Sequence, residues 1–215
     1  MKIIKRIRGV ALSIAFAVTV LCGGGLPQSV AKAETSNSFT DVQTHWVKET
    51  VDWALEKNMV NGYPDGTFRP EKKVTEAEFL TMLLRLYEPN LQGETASHWA
   101  DRYYAYGAGY NYILPGNSQR ELRNKVMNRY QVAELIASTE GVNLKGNDAV
   151  KYLLVFHLAT GKGNQKSIAA YKGNDSLTRA EALQFVRNVS TYGLGALVVK
   201  PKRPTDPNLI PNLVQ

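Results

Sequence analysis

Among 215 residues there is one cysteine, Cys22, and only three histidines. A lone thiol closes no disulfide within its own chain, and no Cys/His spacing for a structural zinc exists. His45 and His98 stand too far apart and too alone for a zinc site. Asp65 sits in Pro64-Asp65-Gly66, which reads as a turn and lacks the alternating oxygens of a calcium loop. No metal and no cofactor is therefore expected. Long apolar runs are also missing. The longest, from Val10 to Leu21, is roughly 12 residues against the roughly 20 that span a bilayer. Lys2, Lys5, Arg6 and Arg8 precede it, and a Gly-rich patch and Ser29-Val30-Ala31-Lys32-Ala33 follow it. A basic start, a short apolar stretch and an Ala-x-Ala site have the order of a secretory signal, cleaved after Ala33. Processing at Cys22 as a lipoprotein would need small residues upstream, where Val20 and Leu21 are bulky.

Removing residues 1–33 also removes most of the charge imbalance. That segment holds Lys2, Lys5, Arg6, Arg8 and Lys32 and no acid. The 26 basic residues of the whole chain then fall to 21 against 19 acids, a net of +2. Nucleic-acid binding wants a clustered basic footprint, so a nucleic-acid partner is not expected. Nothing after the signal suggests a membrane partner.

What the sequence does hold is a repeat. Val74-Thr75-Glu76-Ala77-Glu78-Phe79, Met127-Asn128-Arg129-Tyr130-Gln131-Val132 and Leu177-Thr178-Arg179-Ala180-Glu181-Ala182 each read as a capping box. A Thr or Asn accepts from the N3 amide, and the N3 Glu or Gln returns to the cap's own N–H. The caps at 75, 128 and 178 are 53 and 50 residues apart. Each opens an amphipathic helix, with Phe79, Met82, Leu83 and Leu86 on the first, Val132, Leu135 and Ile136 on the second, and Leu183, Val186 and Val189 on the third. A further helix is expected ahead of each box. It starts after Thr44 in repeat one, after Ser97 in repeat two, and near Asn147 or Asp148 in repeat three. His45-Trp46 and His98-Trp99 open the first two. On the middle one, Tyr103, Tyr106 and Tyr110 share the core face, which leaves Tyr104 and Tyr112 for a ligand or partner. His157, on a stripe with Leu153 and Leu154, reads as a core histidine. Strand signals are sparse. Ala196-Leu197-Val198-Val199 is a short β-branched run that extends or pairs weakly, and the proline-rich segment after it reads as an extended tail.

Phe39-Thr40-Asp41-Val42, His45-Trp46, the loop Asn61-Gly62-Tyr63-Pro64-Asp65-Gly66-Thr67-Phe68-Arg69-Pro70 and the first box together strongly resemble the S-layer homology (SLH) motif. Repeat two keeps His98-Trp99, a looser box and only Pro115-Gly116-Asn117 of the loop. Repeat three keeps Thr178-Arg179-Ala180-Glu181 with no recognisable loop. The resemblance spans roughly residues 39–192. It implies a mainly α, pseudo-threefold unit of three helix-loop-helix repeats around a central helical bundle. The expected division is 1–33 signal, 34–90, 91–143 and 144–200 repeats with the second and third degenerate, and 201–215 tail. The resemblance also implies non-covalent attachment to the bacterial cell wall through secondary cell-wall polysaccharide, often pyruvylated, bound in grooves between repeats.

An anionic sugar suits the guanidinium fork and the helix N-terminus at Arg179 and Arg129. Trp46 and Trp99 can stack on sugar or pack in the core. Gly62 permits close backbone approach, and Asp41 matches the family's acidic position or braces the following helix. Glu76 stands where the other boxes carry Arg, and its carboxylate repels an anion. The loss of Arg at 76 also leaves a second reading, a degenerate surface protein that docks another surface protein. No paired carboxylates or nucleophile–base set suggests catalysis, so an enzyme is not expected.

Overall fold

Each capping box starts a helix in the computed structural model, which describes residues 39–95 and 97–213, all inside one compact unit, Ser36–Gln215. The expected export signal, residues 1–33, and its expected cleavage site lie outside the described residues. Among the described residues there are eight α-helices: α1 (Lys48–Glu56), α2 (Glu76–Arg85), α3 (Asp101–Gly109), α4 (Pro115–Ser118), α5 (Arg129–Thr139), α6 (Gly146–Val155), α7 (Ile168–Tyr171) and α8 (Arg179–Tyr192). Six are the expected pairs, and α4 and α7 are single turns inside the loops of repeats two and three. Thr75, Asn128 and Thr178 cap α2, α5 and α8, and all three boxes are reciprocal.

The boxes also close the fold. Val74 donates its N–H to Leu177 O (3.0 Å), Leu177 to Met127 O (3.3 Å) and Met127 to Val74 O (3.1 Å), a ring of three bonds among the residues that precede the caps. The first N–H of each box helix, an orphan by helix geometry, goes to the neighbouring repeat. Glu76 donates to Lys125 O (3.1 Å), Arg129 to Asp175 O (2.9 Å) and Arg179 to Lys72 O (2.8 Å). The first helix of each repeat packs on another repeat's box helix: α1 on α8, α3 on α2, α6 on α5. Thr50 Oγ1 to Gln184 Oε1 (2.9 Å) and Arg85 Nε to Tyr103 OH (2.8 Å) pin two of these interfaces.

The first helices end alike. Asn58, Asn111 and His157 all take positive φ (54°, 61° and 61°). The next residue in each case bonds back five positions: Met59 to Ala54 O (2.9 Å), Tyr112 to Gly107 O (3.1 Å), Leu158 to Leu153 O (2.8 Å). This is the Schellman closure. It corrects the reading of His157, which is exposed at the left-handed end of α6 instead of buried on its apolar stripe.

Other expectations change too. α1 begins at Lys48, not after Thr44, because His45 Nδ1 accepts the Val47 N–H (3.2 Å) and holds a turn ahead of the helix. His98 does the same for Ala100 (3.1 Å). Tyr104 and Tyr112 are buried, and Tyr106 and Tyr110 only partly so. The Tyr104 hydroxyl donates to Glu76 Oε1 (2.9 Å) and that of Tyr112 to Val198 O (3.0 Å). The segment from Val198 onward is strapped to repeats two and three. Val198 N–H donates to Thr139 O (3.0 Å), Thr205 N–H to Asn143 O (3.0 Å), and Ile210 is buried.

Candidate functional site

Three clefts follow from this interlock, because the first side chain of each box helix points into the loop of the next repeat. Arg179 enters the loop of repeat one. Its Nε donates to Phe68 O (3.0 Å) and NH2 to Asn61 O (3.5 Å), and its guanidinium lies 4.7 Å from the Phe68 ring centroid. Arg129 repeats the pattern in the loop of repeat three. Nε donates to Tyr171 O (2.6 Å) and NH2 to Thr160 O (3.1 Å), with Tyr171's ring 4.6 Å away. Thr160 and Tyr171 thus stand where Asn61 and Phe68 stand. Repeat three does possess the loop, contrary to the sequence reading. What is shared is the position of two carbonyls and one aromatic ring, which side-chain identity hides.

The box glutamates divide their oxygens. Glu78 Oε2 takes the Thr75 N–H (3.0 Å), while Oε1 faces Arg179 (3.3 Å), Lys72 (3.0 Å) and the Tyr63 hydroxyl (3.3 Å). Glu181 Oε2 takes the Thr178 N–H (3.0 Å), and Oε1 pairs with Arg129 (3.1 Å). Burial pushes the Glu78 carboxyl up, but the Thr75 amide, Lys72 and Arg179 outweigh it, so the group lies below the usual range. This double use of the N3 carboxylate was not legible in the sequence, where it accounts only for the cap.

Arg179, Glu78, Gly62, Tyr63, Arg85 and Trp99 line the first cleft, of about 220 Å³. Arg129, Glu181, the 160–164 loop, Gln184 and Trp46 line the second, of about 440 Å³. Each therefore joins three repeats: an arginine from one, a loop from the next and a tryptophan from the third. The tryptophans are exposed, Trp46 at 59% and Trp99 at 49%, so they are rim residues and not core. Their arginines are enclosed, Arg129 at 2% and Arg179 at 5% exposed.

The third cleft, of about 140 Å³, is rebuilt. Glu76 enters the loop of repeat two and accepts from Gly116 N–H (2.7 Å) and Tyr104 OH (2.9 Å). Burial pushes its carboxyl up, partly offset by those two donors. The guanidinium comes instead from Arg123, which donates from Nε to Gly116 O (2.7 Å), pairs with Asp101 (2.5 Å) and lies 4.1 Å from the Tyr104 ring centroid. Gln131 replaces the box glutamate, and the second carboxylate lining this cleft is that of Glu134 on α5. Leu144 lies two residues ahead of α6, where Trp46 and Trp99 lie two ahead of α1 and α3. Ile113, Leu114, Pro115, Met127 and Leu135 make the apolar part of its walls, and Ser138 also lines it.

Asp41 lies apart from the clefts. It accepts from the backbone N–H of Phe68 (2.8 Å) and Arg69 (2.7 Å), bracing the loop that receives Arg179 rather than the helix that follows it. Gly62 is small for a packing reason. A Cβ there would sit 2.0 Å from the Phe39 ring, which stacks on Phe68. Asp65 is a turn residue. Its carboxylate accepts from the Thr67 hydroxyl (2.6 Å) and amide and pairs with Arg69 (2.8 Å), and these partners, Thr67's hydroxyl first, hold it down at about 2.

Residues 38–80 match the S-layer homology domain model. Beyond that segment the chain is similar to a middle cell wall protein of Brevibacillus brevis, 30% identical over 187 residues, which is 85% of this chain and 17% of that protein. It is likewise similar to a surface layer protein of Brevibacillus choshinensis, 29% identical over 192 residues, 85% of this chain and 16% of that protein. A cellulosome-anchoring protein of Acetivibrio thermocellus is 32% identical over 91 residues, 37% of this chain and 20% of that protein. The chain thus spans about a sixth of the length of the first two relatives.

Proposed function

Because this chain is an S-layer homology domain protein, we propose that it is exported, loses residues 1–33, and attaches non-covalently to the bacterial cell wall by binding secondary cell-wall polysaccharide, with pyruvylated sugar the fitting ligand. The observation that carries this reading is the duplication of one cleft: Arg179 with Glu78 and Trp99, and Arg129 with Glu181 and Trp46. An exposed indole beside a fixed guanidinium suits a flat sugar face next to an acidic substituent. The relatives named for cell wall and surface layer support the same location. The third cleft, with Glu76 and Leu144, supports no anionic sugar.

Catalysis has less support. The cleft carboxylates Glu78 and Glu181 are each committed to a cap and an ion pair. Docking of another surface protein draws on the apolar walls of the third cleft, where Ile113 is half exposed. A sedimentation assay separates these readings. The exported chain should cosediment with wall sacculi and lose them once the secondary polysaccharide is stripped. Binding that survives stripping, or never appears, overturns the polysaccharide reading. Trp46→Ala and Trp99→Ala, both at exposed rims, should each weaken binding roughly tenfold, the scale of one base- or sugar-like stacking contact, with the melting temperature unchanged.

A further inference from the structure

We propose that the third cleft is a docking site for a lysine side chain presented by another surface protein. The buried Glu76 and the half-buried Glu134 meet its ammonium, and the apolar walls take its methylene stem. This gives the docking reading a site and a ligand chemistry. It does not depend on the polysaccharide reading, which uses the other two clefts.

In the other clefts the carboxylates are already neutralised. Glu78 pairs with Arg179 and Lys72, and Glu181 with Arg129 and Lys162. The third cleft reverses this. Glu76 lines it at 5% exposure, yet forms no ion pair among the described residues. Both of its side-chain donors, the Gly116 N–H (2.7 Å) and the Tyr104 hydroxyl (2.9 Å), go to Oε1. Oε2 has no hydrogen-bond partner among the described residues. Arg123 is near but committed, from Nε to Gly116 O and from NH1 to Asp101. Lys125 lines the adjoining hollow and not this cleft. Glu134 likewise spends Oε1 alone, on the Gly146 N–H (3.0 Å), and pairs with no cation among the described residues. A nearly buried carboxylate without a counterion is costly, and a cation brought from outside relieves that cost.

The free oxygen selects among cations. A guanidinium fork matches a carboxylate with both oxygens open, and Oε1 of Glu76 is taken. A compact ammonium needs one oxygen and can turn its other hydrogens toward Glu134. Lysine also lays its four-carbon stem along apolar surface. Ile113, Leu114, Met127, Leu135 and Leu144 supply that surface. The cleft holds about 140 Å³. A hollow of roughly that volume takes a benzene-sized group, the bulk of one side chain. Sugar fits it poorly. Leu144 stands where the other clefts have an indole, and the Ser138 hydroxyl is spent on Glu134 O (2.7 Å). Ile113 beside this cleft and Val126 beside the adjoining hollow are both half exposed. They extend the apolar surface toward whatever a partner sets next to its lysine.

The test titrates the exported chain with the synthetic peptide acetyl-Ala-Leu-Lys-Leu-Ala-amide, and with the same peptide acetylated on the lysine amine. The methyl NMR signals of Ile113, Met127 and Leu144 report on the cleft. The free-amine peptide should shift all three saturably and bind roughly tenfold more tightly than the acetylated one. Glu76→Gln keeps an acceptor for Gly116 and Tyr104, and Glu134→Gln keeps one for Gly146. Each should narrow the gap between the two peptides to within about threefold. Where Glu76→Gln lowers the melting temperature, the half-buried Glu134→Gln decides. An acetylated peptide that binds as tightly as the free amine overturns the site, as does a full gap in both variants. Methyl signals that neither peptide moves overturn it too. Signals that glucosamine moves and the lysine peptide does not would replace it with a site for a wall amino sugar. Cosedimentation with sacculi is read separately, so its failure sinks the polysaccharide reading and not this one.

Discussion

Glu76 shows how one substitution is absorbed by its surroundings. The first position of the other two box helices is an arginine whose Nε reaches a loop carbonyl. At position 76 the acid takes the Gly116 N–H, and Arg123 takes the Gly116 carbonyl from the other side of the same residue. Glu76→Arg would therefore set a second guanidinium beside Arg123 and leave the Tyr104 hydroxyl and Gly116 amide without their acceptor. Each buried unsatisfied group costs about 1–3 kcal/mol, so a loss of roughly 3 kcal/mol is expected in urea unfolding, with no gain in sacculus binding. Glu140 makes a different case. It is buried, one oxygen accepts the Leu194 N–H (2.9 Å), and the other has no partner among the described residues. Burial raises its carboxyl above the ordinary 4.5. The folded state therefore holds the proton more tightly than the unfolded one, and stability falls as pH rises from 4.5 through the raised value. Glu140→Gln should raise the melting temperature at pH 7 by about 2–4 °C per kcal/mol recovered, and this gain should vanish near pH 4. A gain of equal size at both pH values would trace to packing and not to charge.

At the scale of elements, the box helices were legible because a capping box writes its geometry into two side chains three residues apart. Thr178→Ala should cost about 1 kcal/mol, read as a lower urea midpoint at unchanged slope. The helices ahead of the boxes were less legible. His45 ahead of α1 and His98 ahead of α3 accept from the backbone, which no helix-start pattern encodes, and Asp101 on α3 also accepts the Ser97 and His98 amides. Tyr103 is buried as expected, whereas Tyr104 and Tyr112 are buried against expectation because α3 and the residues just after it are covered on more than one side. α2 from repeat one buries Tyr104 through Glu76, and the strap at Val198 buries Tyr112. A single apolar stripe describes a helix with one neighbour only. The site was half legible. Arg129, Arg179 and the tryptophans were visible as residue types, whereas the loop around 160–164 is shared between repeats only as the positions of two carbonyls and a ring, and Arg123 lies in the loop of repeat two outside the capping-box pattern.

At the scale of the molecule, the repeats are interlocked rather than stacked. Thr50 on α1 meets Gln184 and Arg187 on α8 (2.9 and 3.0 Å), and Arg85 on α2 meets Tyr103 on α3 (2.8 Å). The ring through Val74, Met127 and Leu177 needs all three repeats to close. In a linear solenoid, stability is a sum over neighbours and a terminal repeat can be lost alone. Here, removing repeat one strips the cover from Leu183 and Val186 on α8 and from Tyr103 and Tyr104 on α3, all buried in the whole chain. It also opens the central ring at two of its three bonds. A fragment of residues 91–213 should therefore keep far less than two-thirds of the helical ellipticity, bind a hydrophobic dye and show no sharp thermal transition. The full unit should unfold in one step, with circular dichroism and tyrosine–tryptophan fluorescence coinciding. A fragment that retained its share of helix and melted cooperatively would mean that the interlock contributes little, and that each repeat carries its own stability.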